Sequence, residues 1–281
     1  MKRTIKTLLK VGMVTAVTII LTTVLQAHPI INEVNTPSAT LDGWEYEGRM
    51  FTIEGRAYVS LREFSCTADN AVVSWDNELN TAYVRTDSLN ISARDGESYF
   101  KANERILWCE HSIFTMDGVL YVPLRQIAKA FGFDVEYILD TNTVNLTRKK
   151  GALEHANKFY NEKDVYWLSK IIHAESQGEP FIGKLAVGNV ILNRVDSQQF
   201  PDTIYDVIFD NANGVQFSPT VNGAINQTPS EESVIAAKAC LDDAELSNEI
   251  LYFLNEKIAT SFWIVNNCKY VMAIGSHTFY A

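Results

Sequence analysis

The amino-acid sequence predicts an α+β protein in two parts: an N-terminal part of repeated strand–helix–hairpin units and a C-terminal part rich in helices. Two observations lead to this prediction. Residues 58–64 and 121–127 repeat each other, and apolar residues recur at helical spacing between residues 164 and 241. Hydrophobic residues make up 47% of the 281-residue chain and charged residues 21%, which is a globular composition.

The start of the chain has the three parts of a secretory signal peptide. Four basic residues lie within residues 1–10, residues 11–25 are uncharged and mostly apolar, and the small residue Ala27 follows. The apolar run is shorter than the ~20 residues that a membrane-spanning helix needs. We therefore predict a cleaved signal peptide at 1–27 in preference to an uncleaved anchor. The protein is then exported, and it meets the membrane only transiently.

The repeat begins soon after this segment. The residues YVSLREF at 58–64 match YVPLRQI at 121–127, and Asn80-Thr81 aligns with Asn142-Thr143 after a one-residue slip. Each copy predicts a strand, a short helix and a two-stranded hairpin, and Gly132 lies where a helix C-cap is expected.

Residues 44–148 resemble the domain named after the N-terminus of copper amine oxidases. The similarity is carried by YVPLRQIAKAFG at 121–132, followed by Val135-Glu136-Tyr137. This domain occurs on many exported bacterial proteins, and its name does not imply copper or oxidase chemistry. The sequence indicates no copper site here, because His28 and His111 are isolated histidines. We predict a domain at 28–148, a linker at 149–163 and no cofactor. Spacing, wall attachment and contact with a protein partner remain open as roles of this domain.

The second part begins with a helix whose apolar face ends in a carboxyl group. Asp164 is a candidate N-cap, and Val165, Leu168 and Ile172 mark one apolar face. Glu175 follows on that same face. Burial there would raise its pKa and keep it protonated, as a general acid requires. An ion pair with Arg194, or capping of a loop, is the structural alternative.

Three further helices and two strands are predicted along the rest of the chain. A mostly apolar core helix covers about residues 182–195, and a short helix covers 204–208. Thr228-Pro229-Ser230-Glu231 predicts a helix with Thr228 as N-cap that runs to about Leu241. Residues 250–254 and 270–274 are predicted as strands, with His277-Thr278-Phe279-Tyr280 closing the chain.

Residues 165–281 resemble the SleB-type cell-wall hydrolases, the family of spore cortex-lytic enzymes. Six blocks in order carry the similarity, namely IHAESQGEP at 172–180, GKLAVGNVILNR at 183–194, QFSP at 216–219, YFLN at 252–255, ATSFWI at 259–264 and GSHTFY at 275–280. The resemblance implies a lysozyme-like domain at 164–281 that cleaves the MurNAc–GlcNAc linkage of peptidoglycan. It also implies Glu175 as the catalytic acid and an enzyme of the cell wall or spore cortex, active in germination or in growth.

The chemistry after protonation depends on a second carboxylate. Glycoside hydrolases normally use two, and Glu179 is the one nearby in the sequence. One glutamate suffices if the C6 hydroxyl of the sugar attacks C1, which is lytic transglycosylation with a 1,6-anhydro product. We expect the transglycosylase, with a two-carboxylate muramidase as the alternative.

Several side chains are candidates to bind the glycan. Aromatic rings can stack on sugar C–H faces, and amides and hydroxyls can bond sugar hydroxyls. The candidates for substrate binding are Phe217, Ser218, Tyr252, Asn255, Thr260, Trp263, His277 and Tyr280, with Phe279 as a further ring. Two positions depart from the family pattern: His173 stands where Tyr is common, and Glu256 where Pro is usual.

Composition and spacing disfavour other activities. With 24 basic and 34 acidic residues the net charge is -10, which argues against nonspecific nucleic-acid binding. No HExxH motif or histidine cluster indicates a metal. The four cysteines, at positions 66, 109, 240 and 268, form either one disulfide per half or four free thiols. A peptidase using Cys240 or Cys268 with His277, and a non-catalytic wall-binding protein, are the rival functions.

Overall fold

Two repeat units pair at the centre of the N-terminal half. The structure is a computed structural model that describes residues 36–212 and 214–281. The predicted signal peptide lies outside the described residues. The elements of this half are β1 (Ser38–Leu41), β2 (Trp44–Glu45), β3 (Met50–Ile53), β4 (Arg56–Ser60), α1 (Leu61–Asp69), β5 (Val72–Asp76), β6 (Thr81–Arg85), β7 (Asn90–Arg94), β8 (Tyr99–Ala102), β9 (Arg105–Trp108), β10 (Phe114–Met116), β11 (Val119–Pro123), α2 (Leu124–Phe131), β12 (Phe133–Ile138) and β13 (Thr143–Arg148).

The predicted repeat unit is confirmed in both copies. The first copy is β4, α1 and the hairpin β5–β6, and the second is β11, α2 and the hairpin β12–β13. The two copies meet where β4 and β11 pair antiparallel, with Val59 opposite Val122. Asn80 and Asn142, which align in the repeat, both take the left-handed backbone conformation at φ 49°. Asparagine tolerates that conformation, which accounts for an asparagine at the hairpin turn of both copies.

Three sheets result from these pairings. Their strand orders are β12-β13-β1-β2, β10-β11-β4-β3 and β5-β6-β7-β8-β9. Strand β1 joins the second repeat by parallel pairing with β13. Gly132 caps α2 in the left-handed conformation as predicted, and a side chain there would collide with the carbonyls of Lys150 and Gly151.

The C-terminal half is a helical layer with a small sheet beside it. Its elements are α3 (Ala156–Phe159), α4 (Glu162–Ser176), α5 (Phe181–Asp196), α6 (Ile204–Phe209), α7 (Pro219–Asn222), α8 (Glu231–Leu241), β14 (Tyr252–Leu254), α9 (Trp263–Asn267), β15 (Tyr270–Ile274) and β16 (His277–Tyr280). Helices α4, α5 and α8 pack on one another, and the sheet order is β14-β16-β15. The α+β class is therefore confirmed. No helix of the described residues is long and apolar enough to cross a membrane.

Two predicted helix starts were wrong by a few residues. Helix α4 begins earlier than predicted, because Asn161 is the N-cap and its side chain accepts a hydrogen bond from the N–H of Lys163. Helix α8 begins later, because Ser230 caps it by accepting from the N–H of Ser233. Thr228 therefore lies outside the helix. In both cases a second capping side chain nearby in the sequence competed with the predicted one.

A buried ionic cluster joins the two halves. The guanidinium of Arg105 in β9 lies against the carboxylate of Asp242, with Nε 3.0 Å from Oδ1, and their side chains are 6% and 0% exposed. Tyr160 donates its hydroxyl hydrogen to the same carboxylate and accepts from the N–H of Ile106 at 3.1 Å. The ammonium of Lys129 donates to the carbonyl of Asp242 at 2.9 Å. The described residues form one compact unit, and this cluster fixes its two halves together.

The segment predicted as a linker, residues 149–163, takes part in this packing. It contains α3, and Leu153 and Ala156 in it are 6% and 7% exposed. The N–H of Ala156 donates to the carbonyl of Asn103 at 2.9 Å. The boundaries of the predicted domains themselves stay a prediction.

Candidate active site

Glu175 lies at the end of α4, where the apolar face of the helix reaches the surface. Leu168, Ile171 and Ile172 on that face are fully buried against α5 and α8. The Glu175 side chain is partly buried, and no hydrogen bond or charge from the described residues acts on it. Burial alone raises its pKa to about 7. A carboxyl with this pKa can give up and take back a proton near neutral pH.

The structural alternative for Glu175 was an ion pair with Arg194, and the described residues contain no such pair. Arg194 is 4% exposed and donates from Nε to the carbonyl of Leu251 at 2.7 Å. Its guanidinium carbon lies 4.8 Å, 5.1 Å and 5.3 Å from the ring centres of Phe200, Phe217 and Tyr252. Burial lowers the pKa of Arg194 to about 10. This arginine therefore holds β14 and a loop against α5.

Glu179 lies in a different environment, although only four residues separate it from Glu175. Its carboxylate accepts hydrogen bonds from the backbone N–H of Ser276, at 3.0 Å, and from the Ser276 hydroxyl. The side-chain hydrogen bond from Ser276 lowers the pKa of Glu179. An ionised carboxylate can act as a base or as a turn cap, but it cannot donate a proton. The contact ties the loop between α4 and α5 to the hairpin of β15 and β16.

His277 begins β16 directly after this turn. It is 8% exposed, and its Nδ1 has no hydrogen-bond partner among the described residues. Burial lowers its pKa, against the opposing effect of Glu179. The ring lies 5.2 Å from that of Phe253 at an interplanar angle of 72°. His277 is therefore a largely buried neutral side chain next to the Glu179 turn.

Three of the predicted glycan-binding rings are buried, as is His277, so none of these four side chains offers an open face to a glycan, and their role in binding stays a prediction. Phe217 is 2% exposed and Phe279 is fully buried, and both pack near Phe253. Tyr280 is 4% exposed, and its hydroxyl donates to a carboxylate oxygen of Glu256 at 2.8 Å. Phe217 lies in the loop before α7, and Phe279 and Tyr280 are neighbours in β16 whose side chains point to opposite faces, so contacts on both sides of the sheet bury these rings. Nothing in a single aromatic residue of the sequence shows which of its surroundings will cover it.

The predicted glycan-binding residues that remain accessible are Tyr252, Trp263, Ser218, Thr260 and Asn255. Tyr252 is partly exposed and lies 6.2 Å from the ring of Trp263, which is 57% exposed. Ser218 and Thr260 are exposed and Asn255 is partly exposed. Trp263 is accompanied on the same segment by further exposed apolar residues, namely Ile258, Phe262, Val265 and Tyr270.

The structure adds one residue that the sequence analysis did not name as functional. Ser276 orients Glu179 through two hydrogen bonds, and Gly275 beside it takes φ +59°. A side chain at Gly275 would collide with the Glu179 carboxylate. The pair Gly-Ser ahead of a strand was the signal for this turn. Its contact with a glutamate 97 residues earlier had no signal in the sequence.

The two departures from the family pattern both take structural contacts. His173 is 5% exposed, and its Nδ1 accepts from the N–H of Ser230 at 3.3 Å at the start of α8. Glu256 accepts from Tyr280 as described. Neither residue touches Glu175 through a hydrogen bond.

The thiols do not form a nucleophilic site. All four cysteines are free. Cys240 is buried in α8, where burial raises its pKa to about 12, and its Sγ donates to the carbonyl of Leu185 at 3.5 Å. Burial also raises the pKa of Cys268. A cysteine peptidase needs a thiolate nucleophile, so these environments oppose the Cys–His alternative. Within residues 36–212 and 214–281, no group of three or more His, Cys, Asp or Glu side chains is placed to hold a metal ion.

Comparison with known proteins confirms both resemblances. Residues 178–280 match the cell wall hydrolase family, and residues 40–146 match the copper amine oxidase N-terminal domain. The first match begins three residues after Glu175.

The similar curated proteins are spore cortex-lytic enzymes. That of Bacillus cereus is 35% identical over 120 residues, which is 43% of this chain and 45% of the relative. That of Bacillus subtilis is 32% identical over 120 residues and is covered over 38% of its length. The chain thus spans less than half the length of these relatives.

Among solved structures, the catalytic domain of the germination-specific lytic transglycosylase SleB from Bacillus anthracis is 35% identical. The match covers 43% of this chain and 97% of that domain, with a TM-score of 0.38. The catalytic domain of the Bacillus cereus SleB protein is 34% identical over 43% of this chain and 92% of that domain, with a TM-score of 0.39.

Proposed function

The C-terminal domain of this chain belongs to the cell wall hydrolase family, and on that premise we propose that the protein is a peptidoglycan-degrading enzyme. Its reaction is cleavage of the MurNAc–GlcNAc linkage by lytic transglycosylation, with Glu175 as the single acid and base. One observation carries this proposal, namely the partly buried Glu175 carboxyl, which receives no hydrogen bond or charge from the part of the chain that the structure describes and whose pKa is raised to about 7. The similarity to spore cortex-lytic enzymes supports the substrate class.

The proposed reaction needs no water and returns the enzyme to its starting state. Protonated Glu175 donates its proton to the glycosidic oxygen as the C1–O bond breaks. The C6 hydroxyl of the same MurNAc then attacks C1, and the Glu175 carboxylate accepts the hydroxyl proton. The products are a 1,6-anhydro sugar end and a free hydroxyl on the departing GlcNAc. Because the carboxyl alternates between acid and base, a pKa close to neutrality serves both steps.

The two-carboxylate muramidase is the second candidate, and the contacts of Glu179 argue against it. A general base that activates water needs a carboxylate free to accept the water proton. Both oxygens of Glu179 accept hydrogen bonds from Ser276 instead. We assign Glu179 the role of holding the loop that follows α4.

The accessible residues near β14 and α9 are the proposed glycan-binding surface. Tyr252 and Trp263 offer ring faces to the sugars, and Ser218, Asn255 and Thr260 offer hydroxyl and amide groups. We propose that the enzyme acts outside the cytoplasm, on the wall or the spore cortex, after export through the predicted signal peptide.

The test of the proposed function is Glu175→Gln, which keeps the shape of the side chain and removes the transferable proton. Activity on purified peptidoglycan should fall by about 10²–10⁴-fold, the usual range for loss of a general acid–base. The parent enzyme should release 1,6-anhydro muropeptides, detected by mass spectrometry.

Two results would contradict the proposal. Reducing ends in place of anhydro ends would identify a muramidase. If both the parent and Glu175→Gln bind the wall and neither releases a product, the protein is a non-catalytic wall-binding protein.

A further inference from the structure

A cavity of about 760 Å³ lies in the N-terminal half, at the junction of the two repeats. It is bounded by β3 and β4, by the end of β9, by the start of α2, and by the hairpin of β12 and β13. The volume falls within the range of about 300–1,000 Å³ that small-ligand sites occupy. None of the residues proposed for catalysis lines it.

The lining contains three aromatic residues, of which Tyr137 offers an exposed ring that a neighbouring side chain holds in place. Tyr137 is 47% exposed, and its hydroxyl donates to Oδ1 of Asn142 at 2.9 Å. Trp108 also lines the cavity, and its backbone carbonyl accepts from the side-chain amide of Gln126 at 2.7 Å, while its side chain packs against the apolar core of the C-terminal half. The Tyr137 ring, held through its hydroxyl, offers a flat apolar face without losing further side-chain freedom when a ligand binds.

The same lining has polar groups with unused bonding capacity. The hydroxyl of Thr52 is buried without a partner in the described part of the chain. Arg125 is exposed, and within that same part it makes no ion pair or side-chain hydrogen bond. Gln126 uses one amide hydrogen, which leaves its carbonyl oxygen, and Asn142 uses its oxygen, which leaves its amide hydrogens. A buried hydroxyl without a partner costs free energy that a ligand hydroxyl could recover.

The charge of the cavity is nearly balanced. Arg56 pairs with Glu110 at the rim, so among the lining residues Arg125 remains as the one excess positive charge. A strongly charged ligand would find little to neutralise it, whereas a near-neutral ligand with many hydroxyl and amide groups fits both the Tyr137 ring and the open donors and acceptors.

We propose that this cavity binds an N-acetylated amino-sugar oligosaccharide, a segment of wall glycan, at a site separate from Glu175. The flat ring of Tyr137, flanked by amide, guanidinium and hydroxyl groups, matches the apolar C–H face and polar edges of such a sugar. Only the choice of wall glycan as the source rests on the proposed function. The N-terminal half, fixed to the C-terminal half through Arg105 and Asp242, then holds a second stretch of polymer.

The experiment uses the full-length chain carrying Glu175→Gln, so that no substrate is consumed. The probe is the tetramer of N-acetylglucosamine, titrated by calorimetry. The cavity variants are Tyr137→Ala and Arg125→Gln, each added to that background. The matched controls are Tyr83→Ala and Arg85→Gln, which change the same residue types at exposed positions of β6 outside the cavity. Thermal melting checks that each variant folds.

The proposal expects two classes of site in the parent and in both controls. Each cavity variant should weaken one class by about ten-fold or more, equivalent to about 1.4 kcal/mol, and leave the other unchanged. The proposal would be overturned if the tetramer binds to a single class of site whose affinity the cavity variants do not change, or if the tetramer does not bind. Binding of a wall stem peptide with no binding of the tetramer, lost in the same variants, would overturn the assignment to a glycan.

This result is independent of the outcome for Glu175. If the parent enzyme proves inactive on peptidoglycan but the cavity binds the tetramer, the glycan site stands and the proposed activity falls. If the enzyme is active but the cavity variants bind the tetramer as the parent does, the proposed activity stands and the glycan site in the cavity falls. Cleavage of short soluble glycans by the active enzyme should be unchanged in Tyr137→Ala.

Discussion

At the scale of single residues, two glutamates four positions apart have opposite environments. Glu175 ends a buried helix face, where no described residue stabilises its charge, and burial raises its pKa to about 7. Glu179 lies in the following loop with Ser276 donating to both of its oxygens, so its pKa is lowered. Pairs of carboxyls whose surroundings separate their pKa values are typical of acid–base sites. Here only the first of the two is free to transfer a proton.

The raised pKa of Glu175 predicts a pH-dependent cost to folding. Between 4.5 and about 7 the folded protein keeps a proton that the unfolded chain has released, so the free energy of unfolding falls as pH rises through this range. Glutamine has no such titration. The difference in unfolding free energy between Glu175→Gln and the parent should grow from near zero at about pH 4 to the order of 3 kcal/mol at about pH 8. Urea unfolding at several pH values measures it. A difference that stays flat would mean that Glu175 is not buried in the folded protein.

The contact of Glu179 with Ser276 predicts that two different substitutions have the same effect. Glu179→Gln and Ser276→Ala each weaken the tie between the loop and the hairpin. Both should lower the activity by at most about ten-fold, below the loss expected for a general acid–base. The check is activity per folded molecule. If Glu179→Gln were as inactive as Glu175→Gln while Ser276→Ala stayed active, Glu179 would be a catalytic carboxylate.

At the scale of elements, α5 is the helix on which the C-terminal core is built. Its residues from Gly183 to Ile191 are buried on all sides against α4, α6 and α8. At Gly188 the neighbouring helices pack closely, since a side chain there would meet Sγ of Cys240 at 2.6 Å and Cδ1 of Ile172 at 3.0 Å. Ile172 is one turn before Glu175, so this contact sets the position of the end of α4 that carries Glu175.

Gly188→Ala should therefore destabilise the protein although alanine favours helices. Overpacking costs about 1–3 kcal/mol. The gain in helix propensity is only about 1 kcal/mol. We expect a net loss of about 1 kcal/mol in thermal or urea unfolding. Adding Cys240→Ala, which removes the colliding sulfur, should make the cost of Gly188→Ala smaller. Gly178→Ala is the control, because nothing lies within 4 Å of its added carbon. Equal effects at the two glycines would show that the helices are less closely packed.

At the scale of the whole molecule, the buried pair of Arg105 and Asp242 joins the repeat half to the catalytic half. Arg105 also stacks on Phe159, with its guanidinium carbon 3.2 Å from the ring centre. Removing one partner of a buried pair leaves an uncompensated charge, which costs far more than the pair itself contributes. The two halves are therefore expected to unfold together.

Arg105→Gln should lower the free energy of unfolding by about 3 kcal/mol, the lower end of the range for a broken buried pair because Lys129 lies 3.6 Å from the same carboxylate. The matched control is Lys269→Gln, which breaks the exposed pair with Glu249 and should cost under about 1 kcal/mol. Urea unfolding of both variants provides the comparison. Similar small losses in the two would mean that the halves are not coupled through this pair.

The sequence by itself determined what depends on local spacing and chemistry. The repeat predicted the two strand–helix–hairpin units, because period and turn residues such as Asn80 and Asn142 are local signals. The stripe ending at Glu175 placed that carboxyl on a buried face of α4. Helix starts were less certain, because Asn161 and Ser230 compete with neighbouring residues of equal capping ability.

Only the tertiary structure decided how distant parts of the chain meet. It placed Phe217 and Phe279 in the core, paired Glu179 with Ser276, surrounded Arg194 with three rings and joined Arg105 to Asp242. Each of these outcomes depends on burial and on contacts between residues far apart in the sequence. Aromatic and charged residues are compatible with either surface or core, so their roles follow from the packing that surrounds them.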